Sequence, residues 1–526
     1  MAEPGETAVR AEPGWERLSL RSLAVRPLMD LGGLLPLLAG LLLLHQRAGS
    51  GIMLGVAAAV LAVLAGLVRW LTTEYRITDE RVYLRHGLVS RKVRSVARDR
   101  VRTVDVSAHL LHRIAGVCRV SIGTGRNTLS AGEVFHLDGL TRPDADALRA
   151  LLLAEAGPPA GPPAPAPGAP PGAAGPRDIE LARFRLGWLR YAPLTMTGLL
   201  LVGVLIGTAA EFGNAADLRL IAHGPVNWLV TVIAALPVAP RVVVILALAT
   251  AAYLLVAAAG YLALFWNFRL VRHDTGPLVL TRGLLSVRAT SIAASRLRGA
   301  EISEPLPLRL AGGARCLAIA TGLHVGRGSE HDGSVLSPAA PRAVAHRVAA
   351  QVLRAPATVC SGPLEPHGPA ARRRRYTRAM AGALLGVALV AAGTVARHGP
   401  VLAIPIAVVV LVPAAMALAA DRYRSLGHRL TPDGWLVTRT GSLVRRRSII
   451  AADAIVGWHI HQSPFQRRRG LITLTATTAA GHQFYAIRDV PVARGLAIAA
   501  TVTGDLVAPF LAGPAAGSAG AGPVPG

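Results

Sequence analysis

Leu84-Arg-His-Gly87-Leu-Val, Leu280-Thr-Arg-Gly283-Leu-Leu and Thr438-Arg-Thr-Gly441-Ser-Leu are three copies of one pattern. Shortly before them stand Tyr75-Arg-Ile-Thr, Phe268-Arg-Leu-Val and His428-Arg-Leu-Thr. A second glycine follows each first one after the same 29 residues, at Gly116, Gly312 and Gly470. Repetition at fixed spacing sets the architecture before any local feature does. Each copy lies directly behind a pair of apolar stretches, so the unit is an apolar hairpin plus a small domain. The chain reads as a threefold tandem repeat.

Inside the unit the hydrophobic period switches to two. Residues 76–87 read as strand, turn, strand, with turns at Asp79-Glu80 and at Gly87. Arg91-Lys-Val-Arg-Ser-Val and Arg445-Arg-Arg-Ser-Ile-Ile continue as strands, and Val117-Cys-Arg-Val-Ser-Ile and Leu471-Ile-Thr-Leu-Thr alternate as half-buried strands do. A helix follows: Asp144 starts one whose Ala147, Leu148, Leu151 and Leu152 share a face. Residues 342–353 and 491–500 end the other two repeats in the same way. Short strands with one closing helix describe a small barrel or sandwich capped by that helix.

The chain has 526 residues, 52% of them hydrophobic, but only 4% aromatic, and a mean hydropathy of +0.44. This is lipid-facing helix diluted by polar domains. Six stretches approach membrane length: 28–44, 51–71, 192–210, 242–265, 380–396 and 401–420. They are joined in pairs by connectors 45–50, 211–241 and 397–400, which hold few arginines. Arg69, Arg76, Arg81, Arg85, Arg183, Arg185, Arg190, Arg372–Arg375 and Arg378 lie on the other side. The positive-inside rule then places both termini and all three domains in the cytoplasm. Residues 226–236 are apolar but short, and read as an interfacial or re-entrant stretch. The first 28 residues contain four Glu and no small-residue cleavage site, so an uncleaved anchor is expected rather than a signal peptide. The expected fold class is a multi-pass α-helical membrane protein: six helices in three hairpins, with three cytoplasmic β-barrel domains each closed by a helix. The expected divisions are a tail (1–27), hairpin (28–71), domain (72–154), Pro/Ala/Gly linker (155–180), hairpin (181–266), domain (267–355), linker with a basic cluster (356–378), hairpin (379–420), domain (421–512) and a small-residue tail (513–526) expected to be disordered.

The order of hairpin, Tyr-Arg-Ile-Thr motif, Arg-x-Gly turn and then Leu110-Leu-His-Arg-Ile-Ala-Gly116, Pro307-Leu-Arg-Leu-Ala-Gly312 or Ser463-Pro-Phe-Gln-Arg-Arg-Arg-Gly470 resembles bacterial pleckstrin-homology (PH)-like membrane proteins of the YdbT type. The resemblance implies a seven-stranded barrel closed by a helix in each unit. It also implies a smaller single-PH-domain membrane protein as partner, and a part in envelope stress or in resistance to membrane-active toxins. Repeat three departs from the pattern with His428 in place of an aromatic residue. Repeat two loses charge along its second strand, where Val287-Arg-Ala-Thr stands against Arg91-Lys-Val-Arg.

No catalytic constellation is present in the sequence: no Walker loop, no nucleophile elbow, no zinc-spaced Cys/His set. A non-enzymatic protein without cofactor or metal is expected. Cys118, Cys316 and Cys360 form no even framework and read as free thiols in a reducing compartment. His459 and His461 share a strand face but lack a third ligand. Asp30 reads as the solvated end of the first span. Gly51-x-x-x-Gly55, Gly203-x-x-x-Gly207 and Gly382-x-x-x-Gly386 offer small-residue faces for helix packing or self-association.

The net charge of +26 is carried almost wholly by Arg, with Lys92 the single lysine. Arg91, Lys92, Arg94 and Arg98 cluster in repeat one, and Arg445, Arg446, Arg447, Arg467, Arg468 and Arg469 in repeat three. These are the candidate lipid- or partner-binding residues. They read either as docking groups for anionic headgroups or as a solvated positive-inside face. Nucleic acid is not expected, because no aromatics interleave the arginines. Gly87, Gly116, Gly283, Gly312, Gly441 and Gly470 are assigned structural roles. The expected function is a membrane-anchored scaffold that engages the inner membrane surface or a partner protein. The alternative is a component of a transport or export system.

Overall fold

The computed structural model describes residues 15–17, 19, 21, 67–68, 71–78, 80–86, 91–98, 101, 103–123, 135–153, 179–195, 228, 232, 235–272, 277–321, 323 and 334–504. Repeat one contains β1 (Glu16–Arg17), β2 (Glu74–Ile77), β3 (Arg81–His86), β4 (Lys92–Ala97), β5 (Thr103–His109), α1 (Leu110–Ile114), β6 (Val117–Gly123), β7 (Phe135–Thr141) and α2 (Arg142–Leu153). Repeat two contains β8 (Ile179–Arg183), a 3-10 helix (Leu186–Leu194), α3 (Val238–Phe265), β9 (Arg269–Arg272), β10 (Leu278–Arg282), β11 (Ser286–Ile292), β12 (Leu297–Pro305), α4 (Leu306–Leu310), β13 (Gly313–Ala320), β14 (Val335–Pro341) and α5 (Arg342–Leu353). Repeat three contains α6 (Ala357–Ser361), α7 (Gly368–Ala396), α8 (Ala403–Arg424), β15 (Gly427–Leu430), β16 (Trp435–Thr440), β17 (Val444–Ala451), β18 (Ile455–His461), α9 (Pro464–Arg467), β19 (Leu471–Thr478), β20 (Phe484–Pro491) and α10 (Val492–Val502).

The repeat glycines sit where backbone geometry needs them. Gly116, Gly312 and Gly470 follow the short helices α1, α4 and α9 with φ of 70°, 73° and 63°, the left-handed exit that glycine takes without strain. Gly283 and Gly441 turn the chain between β10 and β11 and between β16 and β17, where a Cβ would run into the carbonyls of Ser286 and Val444. Gly87 lies outside the described residues.

The strands form four antiparallel sheets, and the sheets do not respect the repeats. Their orders are β1-β2-β3-β4, β7-β6-β5-β11-β10-β9-β8, β14-β13-β12-β17-β16-β15 and β18-β19-β20. Apart from β1 and β8, which add to the edges, each repeat divides into two triplets, and the second triplet of one repeat pairs edge to edge with the first triplet of the next. The register is conserved. Thr103 faces Ile292 at one junction and Gly299 faces Ile450 at the other. Counted from the repeat glycines, these are the same two positions.

The expected six helices in three hairpins are therefore corrected. Among the described residues three helices are long and apolar enough to cross a membrane: α3, α7 and α8, with mean hydropathy 2.6, 2.0 and 2.5. Only α7 and α8 pack as a consecutive pair. The expected spans at 28–44 and 51–71 lie almost wholly outside the described residues, as do most of 192–210 and of 226–236. At the start of the third expected span the chain is a 3-10 helix with Trp188, Tyr191 and Ala192 buried. Its aromatic side chains pack inside the protein, not against lipid. Barrels each built from one repeat are corrected too: the strands of every repeat are divided between two sheets.

Two compact units result. The first comprises Met1–Arg185, Ala259–Arg296 and Gly322–His324; the second Leu186–Ala258, Leu297–Thr321 and Val325–Gly526. Their boundary cuts repeat two between β11 and β12. In the first unit, Tyr75, Val82 and Leu84 pack against Val104, Val120, Ile122, Leu137 and Leu140, closed by Ala145, Leu148 and Leu152 of α2. Side chains buried this completely stabilise by about 1.5–3 kcal/mol each. The buried face of α2 is rotated from the expected one, since Leu151 is exposed. In the second unit Leu436 and Ile450 face Leu474, Ile487 and Val490 under Ile498 and Ala499 of α10.

The second unit also has a polar interior. Arg445 donates to Asp421 at 3.3 Å and is ion-paired with Glu304 at 3.9 Å, and Arg446 is ion-paired with Glu301 at 3.6 Å. Arg447 donates to the carbonyls of Val359 and Gly362 at 3.3 and 2.8 Å. The α7 helix is fastened by Asp489, which is 0% exposed and ion-paired to both Arg374 and Arg375 at 2.5 Å. A bulge in β20 skips Asp489 between the pairs Ile472–Val490 and Thr473–Arg488, and gives it a φ of 59°. The irregularity aims its carboxylate at the helix.

His428 Nδ1 lies 2.9 Å from His367 Nε2, and His367 Nδ1 2.8 Å from the Arg488 carbonyl oxygen. A carbonyl only accepts, so His367 donates through Nδ1 and accepts through Nε2 from His428. Burial lowers both imidazoles, His428 to about 4. Glu365 at 3.9 Å and Arg494 are the charged groups beside His428.

Two consequences are measurable by thermal melts of the full chain in detergent. The folded state binds fewer protons than the unfolded chain, whose histidines titrate near 6.5. The pair's contribution is thus complete above pH 6.5 and falls by on the order of 3 kcal/mol as pH drops towards 4. His428→Phe should flatten that part of the pH profile; an unchanged slope would remove the histidines as its cause. Asp489→Asn keeps the shape and tolerates the positive φ but leaves two buried guanidiniums unneutralised. It should cost about 3–5 kcal/mol, and a loss below about 1 kcal/mol would show that α7 is held otherwise.

Candidate functional site

Where α7 and α8 meet the β16–β17 turn there is a cavity of about 290 Å³, lined by Arg375, Arg378, Arg422, Arg488, Leu426 and the 440–443 turn. Each wall follows from local structure. Arg378 is the last charged residue of α7 before its apolar run, and Arg422 lies in the last turn of α8. Both therefore stand at the polar end of the apolar helix pair. Arg488 precedes the bulged Asp489 in β20 and is exposed. The turn is held in place by Ser442, whose hydroxyl donates to Asp421 at 2.9 Å.

The charge balance distinguishes this cavity. Arg375 is neutralised by Asp489 at 2.5 Å. Asp421 is engaged by Arg309 at 2.8 Å and by Arg445 at 3.3 Å. Among the described residues no carboxylate pairs with Arg378, Arg422 or Arg488. Three fixed positive charges thus converge on one hollow with Leu426 and Leu443 beside them. Such a hollow suits an oxyanion joined to an apolar group.

The residues singled out from sequence fall in different places. Arg447 is buried, while Arg445 and Arg446 are partly buried beside carboxylates, with 19% and 34% of their side chains exposed. Arg467, Arg468 and Arg469 are exposed at the end of α9 beside Phe465, itself 71% exposed. Arg91 and Arg94 are exposed on and beside β4, whereas Arg98 donates to the Leu151 carbonyl at 2.5 Å. The Lys92 side chain lies outside the described residues. These groups are not brought together into one site. Sequence reasoning missed Arg422 and Arg488 and used Arg375 and Arg378 only for orientation. The available signal was an arginine at each end of one hairpin, but Arg488 is brought to them only by the fold.

His459 and His461 stack at 6.5 Å between ring centroids, and among the described residues no cluster of three or more metal-ligating side chains occurs. The cysteines are all buried and unpaired, and burial pushes the Cys118 and Cys360 thiols up to about 11.

Two stretches, residues 30–156 and 383–504, match the family model described as Bacterial PH domain. No curated protein and no solved structure matches the chain. The second stretch holds most of the apolar run of α7, all of α8, the β16–β17 turn and Arg488, and so most of the cavity. The two matches support the bacterial PH-like family for repeats one and three.

Proposed function

We propose that this chain is a non-enzymatic, membrane-anchored binding protein that seats the phosphate of an anionic lipid headgroup in the arginine-lined cavity under α7 and α8. One observation carries the reading: three arginines without carboxylate partners converge directly at the polar end of an apolar helix pair. A basic side chain near an anionic membrane surface contributes on the order of 1 kcal/mol, and a closed arrangement of three adds direction to that attraction. Arg372, Arg373, Arg378, Arg422 and Arg424 all lie at the domain end of the hairpin, while the 397–402 connector holds Arg397 alone. The positive-inside rule then puts the domain end in the cytoplasm. A YdbT-like chain of three PH-like units belongs to the same proposal. Its support is that repeat two has the strand order and glycine spacing of its neighbours. The partner implied by that resemblance, a smaller PH-like membrane protein, would make the chain a scaffold as well as a lipid binder.

The test is the melting temperature of the full chain in zwitterionic micelles with added phosphatidylglycerol, phosphatidylcholine or inorganic phosphate. Phosphatidylglycerol alone should raise it, and Arg378→Gln/Arg422→Gln/Arg488→Gln should abolish the rise. Equal stabilisation by inorganic phosphate would reassign the cavity to a soluble anion. A rise that persists in the triple variant would sink the site.

A further inference from the structure

At the second junction the pairing of β12, β16 and β17 gathers charge on one sheet face. Arg447 stands opposite Ile302 on one side and Arg439 on the other, and Arg445 stands opposite Glu304. Residues two apart on a strand share a face, so these side chains point the same way. Helices α5 and α6 lie over them and leave a cavity of about 170 Å³, lined also by Arg342, His346 and Ser361. Arg342 and Ser361 are exposed at its rim, whereas Ile302, Glu304 and Arg447 are buried. It shares no lining residue with the hollow under α7 and α8.

A junction does not need this charge. Counted from the repeat glycines, the equivalent positions of the first junction are Val106, Ala108, Thr281, Val287 and Ala289. Nor is the charge balanced. Arg342 and Arg445 flank Glu304 at 2.8 and 3.9 Å, and Arg445 also donates to Asp421. Arg439 donates to the carbonyls of Ser425 and Arg424 at 3.3 and 2.9 Å, and Arg447 to those of Val359 and Gly362. Among the described residues neither of these two pairs with a carboxylate, and Arg447 Nε makes no hydrogen bond although the residue is 8% exposed. His346 adds no charge: its Nδ1 donates to the Cys360 carbonyl at 2.9 Å, and burial, aided by Arg447, holds its pKa below the usual value. A charge taken out of water with only carbonyl dipoles against it is unfavourable. The deficit falls on Arg439 and Arg447, on neighbouring strands about 4.8 Å apart.

We propose that this cavity binds a short dicarboxylate as its dianion, one carboxylate on Arg439 and the other on Arg447, with Arg342 and Ser361 framing the entrance. Two planar anionic groups match two guanidinium forks on separate strands, as Glu304 already matches Arg342 and Arg445. A phosphate carries its charge on one centre and fits that division less well. The volume lies below the roughly 300–1,000 Å³ of drug-sized sites, which limits the ligand to a few carbons.

The test is isothermal titration calorimetry of the full chain in detergent with succinate, and with inorganic phosphate as the control. A single saturable succinate site is expected, and none for phosphate. Arg439→Gln should weaken binding about tenfold or more. Ser361→Trp, a change at the exposed rim, should abolish it by closing the entrance. Arg378→Gln/Arg422→Gln/Arg488→Gln should bind succinate unchanged, so failure of the lipid site and failure of this one are read separately. Melting temperatures check folding; should Arg439→Gln melt early, Ser361→Trp decides alone. No saturable heat from succinate, equal binding of phosphate, or full binding by either folded variant would overturn the proposal. Loss of succinate binding in the triple variant would overturn it too, by moving the ligand to the other hollow.

Discussion

Backbone pairing along β5–β11 and β12–β17 is the constraint on which the rest of this structure depends. A buried strand edge leaves N–H and C=O groups that must find partners, and a three-stranded sheet has little face with which to exclude water. Joining triplets across repeats gives sheets of seven and six strands and removes two edges from solvent at each junction. The conserved register follows from the pleat. A slip of one residue would turn every inward side chain outward, and Ile292 and Ile450 would leave the core.

The polar interior of the second unit is a product of this arrangement. Bringing β17 against β12 places Arg445 and Arg446 beside Glu304 and Glu301, while the buried Arg447 is met by the carbonyls of Val359 and Gly362. The Asp489 bulge applies the same device to α7. With those pairs formed, the arginines left over become meaningful. In a chain of net charge +26, a cationic side chain by itself indicates nothing. Arg378, Arg422 and Arg488 differ from the ion-paired arginines of the second unit in having no carboxylate partner among the described residues.

Much of the fold was legible in the sequence because glycine spacing and period-two alternation are local signals. Gly116, Gly312 and Gly470 marked the repeat, though not the short helices that end at them, and Val117–Ser121 and Leu471–Thr475 declared half-buried strands. Pairing across repeats was not legible, because nothing in a strand's own sequence tells an intra-repeat edge from an inter-repeat one. The expected face of α2 was rotated about the helix axis for a similar reason: Ala145 is small enough to sit against the sheet, and the apolar Leu151 could be left out. Linear density of arginine shows where charge is concentrated and not where it is neutralised. Of the Arg445–Arg447 cluster only Arg447 is buried, and Arg488 is brought to the helix pair by the fold alone.

Junctions of this kind also impose an order on biosynthesis. The partner of β5 lies roughly 180 residues further along the chain, and at about 5–20 residues per second the ribosome needs on the order of 10–40 s to deliver it. During that interval the first repeat can assemble its own core while β5 waits with a bare edge. The same delay recurs between β12 and β17. A nascent chain of this design is exposed to wrong partners twice, and a fragment that stops between repeats keeps that exposure permanently.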